Sequence, residues 1–343
     1  MGSDGITNGA RPKVLQLGKI EHASDAWSAI AQIADIVVPQ ATSREEFLAM
    51  AKAGDFDGCV VAYRTFDSVS FTGKVDADFV AAMPPSLQFI CHNGAGYDQI
   101  DVPACTARGI RVSNTPTAVD DATADINMFL ILGALRNLAV SMHSLRQGKW
   151  RGSPVPALGH DPQGKVLGIL GMGGIGRNLA KKALAFGMKI RYYNRTRLPE
   201  DQEKDCEAEY VDFDTLLKTS DVLSLNLPLN PHTRHIISTP QFDIMKSGVV
   251  IVNTARGAVM DEAALVAALD DGKVASVGLD VYEDEPKIHP GLLENQRTLL
   301  VPHMGTWTLE TLVKMEEWAI SNVRSAVEER RLVSIVPEQK SME

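Results

Sequence analysis

Cysteine is scarce, with four in 343 residues. Cys59, Cys91, Cys105 and Cys206 form no CxxC pair, and no His/Cys cluster has the spacing of a zinc site. The expectation is a chain without metal or disulfide framework, working in a reduced, cytoplasmic compartment. Basic charge is also short. A formal net charge of −9 argues against nucleic acid or a membrane surface as partner, since both call for a basic face. No apolar run is long enough for a bilayer. The strongest, "INMFLILGAL" (126–135), is bounded by Asp125 and Arg136 and reads as a buried core helix. The opening "MGSDGITNGARP" lacks a basic start followed by an apolar stretch, so it reads as a flexible lead-in and not as a signal peptide. Apolar residues are what is plentiful. At 45% apolar and 22% charged the chain reads as globular, and 343 residues suffice for two domains with separate cores.

Short β-branched runs alternate with helical patterns along almost the whole chain. Strands are expected at 13–18, 35–39, 58–63, 87–92 and 110–114, then a long helical stretch over about 120–147. Strands resume at 165–171, 189–194, 221–228, 248–255, 276–282 and 298–303, with helices such as 177–187 and 261–272 between them. Continuous apolar strands alternating with helices predict parallel sheets covered on both faces. A glycine-rich turn, "GMGGIG" (171–176), falls in mid-chain, and a helical tail (about 308–330) follows the last strand. The expected architecture is therefore α/β with two doubly wound parallel-sheet domains. A Rossmann dinucleotide domain, 117–305, is inserted into a flavodoxin-like substrate domain of 1–116 plus 306–343, with the active-site cleft between them.

The glycine turn has the right context for a dinucleotide: "KVLGIL" feeds it and "RNLAKKALAFG" follows it. Gly171 permits the tight turn, Gly173 lets backbone approach a pyrophosphate, and Gly176 lets helix pack on strand. The helix start supplies N–H groups and the positive end of a dipole. Some twenty residues on, an acid would hold the ribose 2′-hydroxyl of NAD, but "YYNRTR" (192–197) offers none. Asn194 stands at that place, followed by Arg195, Thr196 and Arg197. A missing carboxylate and two arginines favour a 2′-phosphate, hence NADP(H), with NAD(H) as the alternative. A solvated basic loop is the plainer reading.

Three strand ends carry polar groups beyond apolar runs. Arg256 follows "IVNTA", Asp280 and Glu285 lie in "GLDVYEDEP", and His303 follows "LLVP". Ligands of open α/β sheets bind outside the carboxyl ends of the strands. Reduction of a 2-oxo acid needs such a set. His303 would protonate the developing alkoxide, and Glu285 would hold the second ring nitrogen. Arg256 would grip the substrate carboxylate and polarise the carbonyl, and Asp280 would orient the nicotinamide or tune the histidine. Each also has a plain reading: Arg256 as a structural ion pair, Glu285 in a solvated acidic loop, His303 as one of eight histidines without a catalytic role.

At these residues the chain resembles the D-2-hydroxyacid dehydrogenase family. "GILGMGGIG", "NTARGAVMDE", "GLDVYEDEP" and "PHMGT" resemble its signatures in order and spacing, and "CHNGAGYDQID" and "RGIRVSNTP" extend the likeness over most of 55–335. Within the family, "NRTRLPED", "PHMGT" and "IVPE" look most like fungal-type glyoxylate/hydroxypyruvate reductases. The resemblance implies Arg256, Glu285 and His303 as the catalytic set. It also implies that the turn Asn93, Gly94, Ala95 and Gly96 offers N–H groups to the substrate carboxylate. Cofactor contacts are implied at Gly174, Ile175, Asn194, Leu227, Pro228, Thr254, Ala255, Asp280 and Gly305. Family members form homodimers, largely through the segment at about 120–160.

Three positions concern substrate choice. Trp307, after "PHMGT", either narrows the pocket or is helix-packing bulk, with the second reading preferred. Tyr63 and Arg64, at a strand end, are placed to face substrate. The first functional expectation is an NADPH-dependent reductase of glyoxylate, hydroxypyruvate or a similar 2-oxo acid. The second is a non-enzymatic, dinucleotide-sensing binding protein on the same fold. Phosphoglycerate dehydrogenase is a weaker third, because the extra regulatory domain many of those carry has no counterpart here.

Overall fold

Apolar residues alternate between two cores along strands such as Cys59–Thr65 and Val249–Asn253, which suits an extended chain covered on both faces. In Cys59–Thr65, Val61 and Tyr63 enter one core and Ala62 the opposite one. The computed structural model describes residues 11–152 and 155–342, so all but the last two residues of the expected lead-in lie outside them. The chain divides into two units, one running to Ala118 and resuming at Thr308, the other Val119–Trp307.

The first unit holds β1 (Lys13–Leu17), β2 (Asp35–Val37), β3 (Cys59–Thr65), β4 (Phe89–Asn93) and β5 (Arg111–Ser113). They pair in parallel in the order β2-β1-β3-β4-β5, the flavodoxin-like winding. The helix Leu309–Glu329 covers one face with Ala319, Ile320, Val323 and Ala326. Thr308 starts it by accepting the Thr311 N–H. Its buried Glu316 then accepts the N–H groups of Glu21, His22 and Ala23, closing the loop after β1.

The second unit holds β6 (Val166–Leu170), β7 (Lys189–Tyr193), β8 (Ala208–Tyr210), β9 (Val222–Leu225), β10 (Val249–Asn253), β11 (Val274–Leu279) and β12 (Thr298–Leu300). Their order, β12-β11-β10-β9-β6-β7-β8, reverses direction of winding at β6 and β9. That reversal is the switch point at which doubly wound sheets bind ligands. Both units are parallel-sheet α/β folds, as expected.

Two local expectations are corrected. β8 was not anticipated: "AEY" is three residues with a charge in the middle, and it pairs only with β7 at the sheet edge. The stretch 120–147 is two helices, Asp120–Leu135 and Leu138–Arg146, bent by 82°. Asn137 makes the break by adopting φ 50°, a left-handed conformation that asparagine tolerates better than most residues. Among the described residues, no single helix is long and apolar enough to cross a membrane.

Candidate active site

The glycine turn is built by close contacts. Gly171 has φ 102°, and a Cβ there would lie 2.7 Å from the Asn226 carbonyl oxygen. A Cβ on Gly176 would lie 2.5 Å from the Gly171 oxygen. Gly173 differs: a Cβ would meet nothing within 4 Å, so open space and not protein packing lies over it. These residues fit a dinucleotide pyrophosphate at the start of the helix Gly174–Ala185. Asp120 packs its carboxylate on Gly174, where a Cβ would come within 2.0 Å of Oδ2, and burial raises its pKa.

The loop after β7 is held from several sides. The Asn194 Oδ1 accepts the Met172 N–H at 2.7 Å, and the Asn194 carbonyl accepts the Tyr210 hydroxyl at 3.2 Å. Arg195 and Thr196 are exposed. Arg197 is not the free donor the sequence suggested. Its Nε and Nη2 fork onto the Glu203 carboxylate, both at 2.8 Å, leaving Nη1 for any ligand. The Tyr192 hydroxyl also donates to Glu203. These partners hold the Glu203 carboxyl down to about 2, the Arg197 bonds first and the Tyr192 bond second.

Arg256 stands just past β10. The buried Asn253 clamps its loop, donating to the Arg256 carbonyl at 2.9 Å and accepting the Ala255 N–H at 3.0 Å. The Arg256 Nη1 donates to the Ala255 carbonyl at 2.8 Å. Thr254 is buried, and its hydroxyl oxygen accepts from Asn127 at 2.9 Å. Asn127 also donates to the Ser224 hydroxyl at 2.9 Å and to the Asn226 side-chain Oδ1 at 3.3 Å. This buried knot ties the helix Asp120–Leu135 to the ends of β9 and β10. Asn127 was missed in the sequence, where its one signal is a polar residue inside an apolar run. Leu227 and Ala255 are half-buried and Pro228 is exposed at the same strand ends, and Ile175 is half-buried at the glycine turn.

Asp280 and His303 lock the ends of β11 and β12 together. The Asp280 carbonyl accepts the His303 N–H at 2.8 Å. Its buried carboxylate accepts the N–H groups of Met304 and of Gly305, the latter at 2.8 Å. Burial raises the Asp280 pKa, opposed by the Met304 bond and the His303 charge. His303 has φ 55°, the left-handed region, which costs a non-glycine residue about 1 kcal/mol and which these bonds hold in place.

The His303 Nδ1 lies 2.9 Å from the Glu285 Oε2. The other Glu285 oxygen accepts the Tyr282 N–H at 2.9 Å. Burial pushes the Glu285 carboxyl up, but the His303 bond, the Tyr282 N–H and the charges of His303 and Arg256 bring it below its ordinary value. Tyr282, another residue the sequence reading missed, also donates its hydroxyl to the Val301 carbonyl at 3.0 Å. Three strand ends of one sheet thus present an arginine, a carboxylate and an imidazole.

In the other unit, the turn after β4 engages its carbonyls in sequence. The Gly94 oxygen accepts the Thr115 N–H at 3.0 Å, the Ala95 oxygen the Asn114 side chain at 2.8 Å, and the Gly96 oxygen pairs with His92 Nε2 at 3.0 Å. Among the described residues, the N–H groups of Ala95, Gly96 and Tyr97 have no acceptor. The Asn93 amide donates to the Tyr63 hydroxyl at 3.2 Å. Tyr63 and Arg64 are fully buried. Trp307 is 67% exposed and is not helix-packing bulk.

Residues 128–305 match the model of the D-isomer specific 2-hydroxyacid dehydrogenase NAD-binding domain. The chain is 54% identical over 331 residues to 4-methyl-2-oxopentanoate reductase A of Aspergillus oryzae, covering 96% of this chain and 99% of that one. It is 45% identical over 338 residues to glyoxylate reductase 1 of Saccharomyces cerevisiae, covering 96% and 95%. The crystal structure of a glyoxylate reductase from Paecilomyes thermophila superposes with TM-score 0.93 at 52% identity, covering 96% and 99%. The strand-end chemistry, the two windings and these likenesses agree: the chain belongs to the D-isomer specific 2-hydroxyacid dehydrogenase family of oxidoreductases.

Proposed function

We propose that this enzyme reduces a small 2-oxo acid, glyoxylate or hydroxypyruvate, to the 2-hydroxy acid, with NADPH preferred over NADH. The observation that carries the reading is the His303–Glu285 pair at 2.9 Å, with the charge of Arg256 acting on the same carboxylate. A bound nicotinamide supplies a hydride to the carbonyl carbon. His303, held through Nδ1 by Glu285, gives its Nε2 proton to the carbonyl oxygen. Arg256 attracts the substrate carboxylate and polarises the carbonyl. The acceptor-free N–H groups of Ala95, Gly96 and Tyr97 suit a carboxylate. Asp280 contributes by fixing the backbone of 303–305. The preference for NADPH is supported by Asn194 in place of an acid and by the exposed Arg195 beside it. Pairing as a homodimer is supported by the exposed apolar side chains Phe129, Met142, Leu145, Trp150, Val155 and Leu158.

The experiment is a spectrophotometric assay of the protein with NADPH and glyoxylate, then hydroxypyruvate. Loss of reduced-cofactor absorbance is expected. Absence of turnover across a panel of small oxo acids, with NADPH still bound, would favour a dinucleotide-sensing protein. The relative at 54% identity favours a second substrate, 4-methyl-2-oxopentanoate, which belongs in that panel.

A further inference from the structure

Arg64 is an arginine with no exposed surface, at the end of a parallel strand. Burying a guanidinium is costly unless something requires its charge. It pairs in register with His92 on the neighbouring strand, so both side chains leave the same face. Its Nη1 lies 3.2 Å from His92 Nδ1, and its Nη2 donates to the Gln99 side chain at 2.7 Å. Its Nε has no acceptor. Burial pushes the Arg64 pKa down to about 10, opposed by the Asp98 charge, so the group stays cationic near neutrality.

A guanidinium only donates, so His92 Nδ1 must be the acceptor. The ring proton is then on Nε2, which donates to the Gly96 carbonyl at 3.0 Å. A trans peptide points its C=O and N–H in opposite directions. Drawing the Gly96 oxygen toward His92 therefore turns the Tyr97 N–H the other way. The bonds from Asn114 to the Ala95 oxygen and from Thr115 to the Gly94 oxygen do the same for the Gly96 and Ala95 N–H groups. Gly94 must be glycine, since a Cβ would lie 2.6 Å from His92 Nε2.

We propose that Arg64 is a positioning residue for recognition of the substrate carboxylate: it fixes the His92 tautomer, which sets the Gly96–Tyr97 peptide with its N–H toward an anion, and its buried charge strengthens the pull of the Ala95, Gly96 and Tyr97 N–H groups. This rests on the reading of that turn as the carboxylate site. It deepens that reading by naming the buried charge that stands behind the backbone N–H groups of this unit.

The test uses the full-length protein with NADPH and oxamate, an unreactive isostere of a 2-oxo acid. In the wild type, oxamate is expected to shift the amide resonances of Ala95, Gly96 and Tyr97, and His92 is expected as the neutral Nε2–H tautomer by nitrogen-15 spectroscopy. Arg64→Met should raise the oxamate dissociation constant about tenfold or more. The KM for glyoxylate should rise with it while kcat and the KM for NADPH stay close to wild type, the pattern of lost ground-state binding. Arg64→Lys, which restores charge without the fork, should recover much of the loss. If oxamate shifts the three amides but its affinity is the same in Arg64→Met, or Arg64→Lys is no better than Arg64→Met, the proposal falls and the reading of the turn stands. If oxamate leaves the amides unmoved, the reading of the turn falls and takes the proposal with it. If Arg64→Met does not fold, the His92 tautomer in the wild type decides, and an Nδ1–H or cationic ring overturns it.

Discussion

A methyl group on Gly257 would lie 1.9 Å from the carbonyl carbon of Tyr282. The loops that carry Arg256 and Glu285 are therefore in backbone contact, and glycine is the residue that permits it. Gly257→Ala forces them apart. We expect a loss of at least about 2 kcal/mol of stability, an overpacking cost at the upper end of its range. A higher KM for the oxo acid should accompany it, as Arg256 is displaced. Urea denaturation and steady-state kinetics check both. A wild-type midpoint and KM in this variant would show that the loops are free to separate.

The His303–Glu285 pair makes a graded prediction. His303→Ala removes the proton donor and should lower kcat by about 10²–10⁴-fold, with NADPH binding retained. Glu285→Gln keeps the shape and loses the charge, so it should cost less. Glu285 is held below its ordinary value, chiefly by the His303 bond working against burial. It therefore stays ionised until the pH falls below the usual carboxylate range of about 4.3. Loss of activity in acid that depends on Glu285 should begin only there, and should be missing from the Glu285→Gln profile.

The arginines after β7 are no longer equivalent. Arg197 is forked onto Glu203, whereas the Arg195 side chain makes no hydrogen bond or ion pair among the described residues. Arg195→Ala should raise the KM for NADPH about tenfold, the scale of one charge-assisted contact, and that for NADH much less. Equal effects on both cofactors would remove the 2′-phosphate from the account of this loop.

What could be read in the sequence was chemistry that is local. The glycine turn announces itself because three glycines answer three steric demands within six residues, and the structure shows two of those demands as backbone contacts. Arg256, Glu285 and His303 stood out as polar groups after apolar strands. Burial of polar residues was not readable. Arg64 and Asn127 look like a strand-end arginine and a stray asparagine until neighbouring strands and helices surround them. β8 was invisible because three residues at a sheet edge need only one partner and no apolar run. Asn137 hid a helix break because a single left-handed residue leaves the periodicity on either side intact.

Glu203 predicts an acid-sensitive loop. Its carboxyl lies at about 2 in the folded chain, held there first by Arg197 and then by Tyr192, against about 4.3 when unfolded. A depressed carboxyl stabilises the fold above the unfolded value, and the contribution is lost as pH falls from about 4.3 toward 2. Arg197→Ala should lower the Tm at neutral pH and flatten its fall over that window. Differential scanning calorimetry from pH 6 to 2.5 would show it, and parallel Tm profiles for the two proteins would refute it.

Asn127 offers the sharpest separation of structure from catalysis. It is fully buried and donates to Ser224, Asn226 and Thr254 across two strand ends. Asn127→Leu keeps the volume and removes every one of those bonds. The buried Ser224 and Thr254 hydroxyls left behind lose a partner away from water, so about 1–3 kcal/mol should be lost in chemical denaturation. Thr254 and Asn226 sit at the carboxyl ends of β10 and β9, where a doubly wound sheet takes its ligand. NADPH affinity should therefore fall in the same variant, while the His303–Glu285 pair, which shares none of these partners, keeps kcat at saturating cofactor near wild type. A variant that loses kcat but not NADPH affinity would mean that the knot serves the histidine and not the dinucleotide.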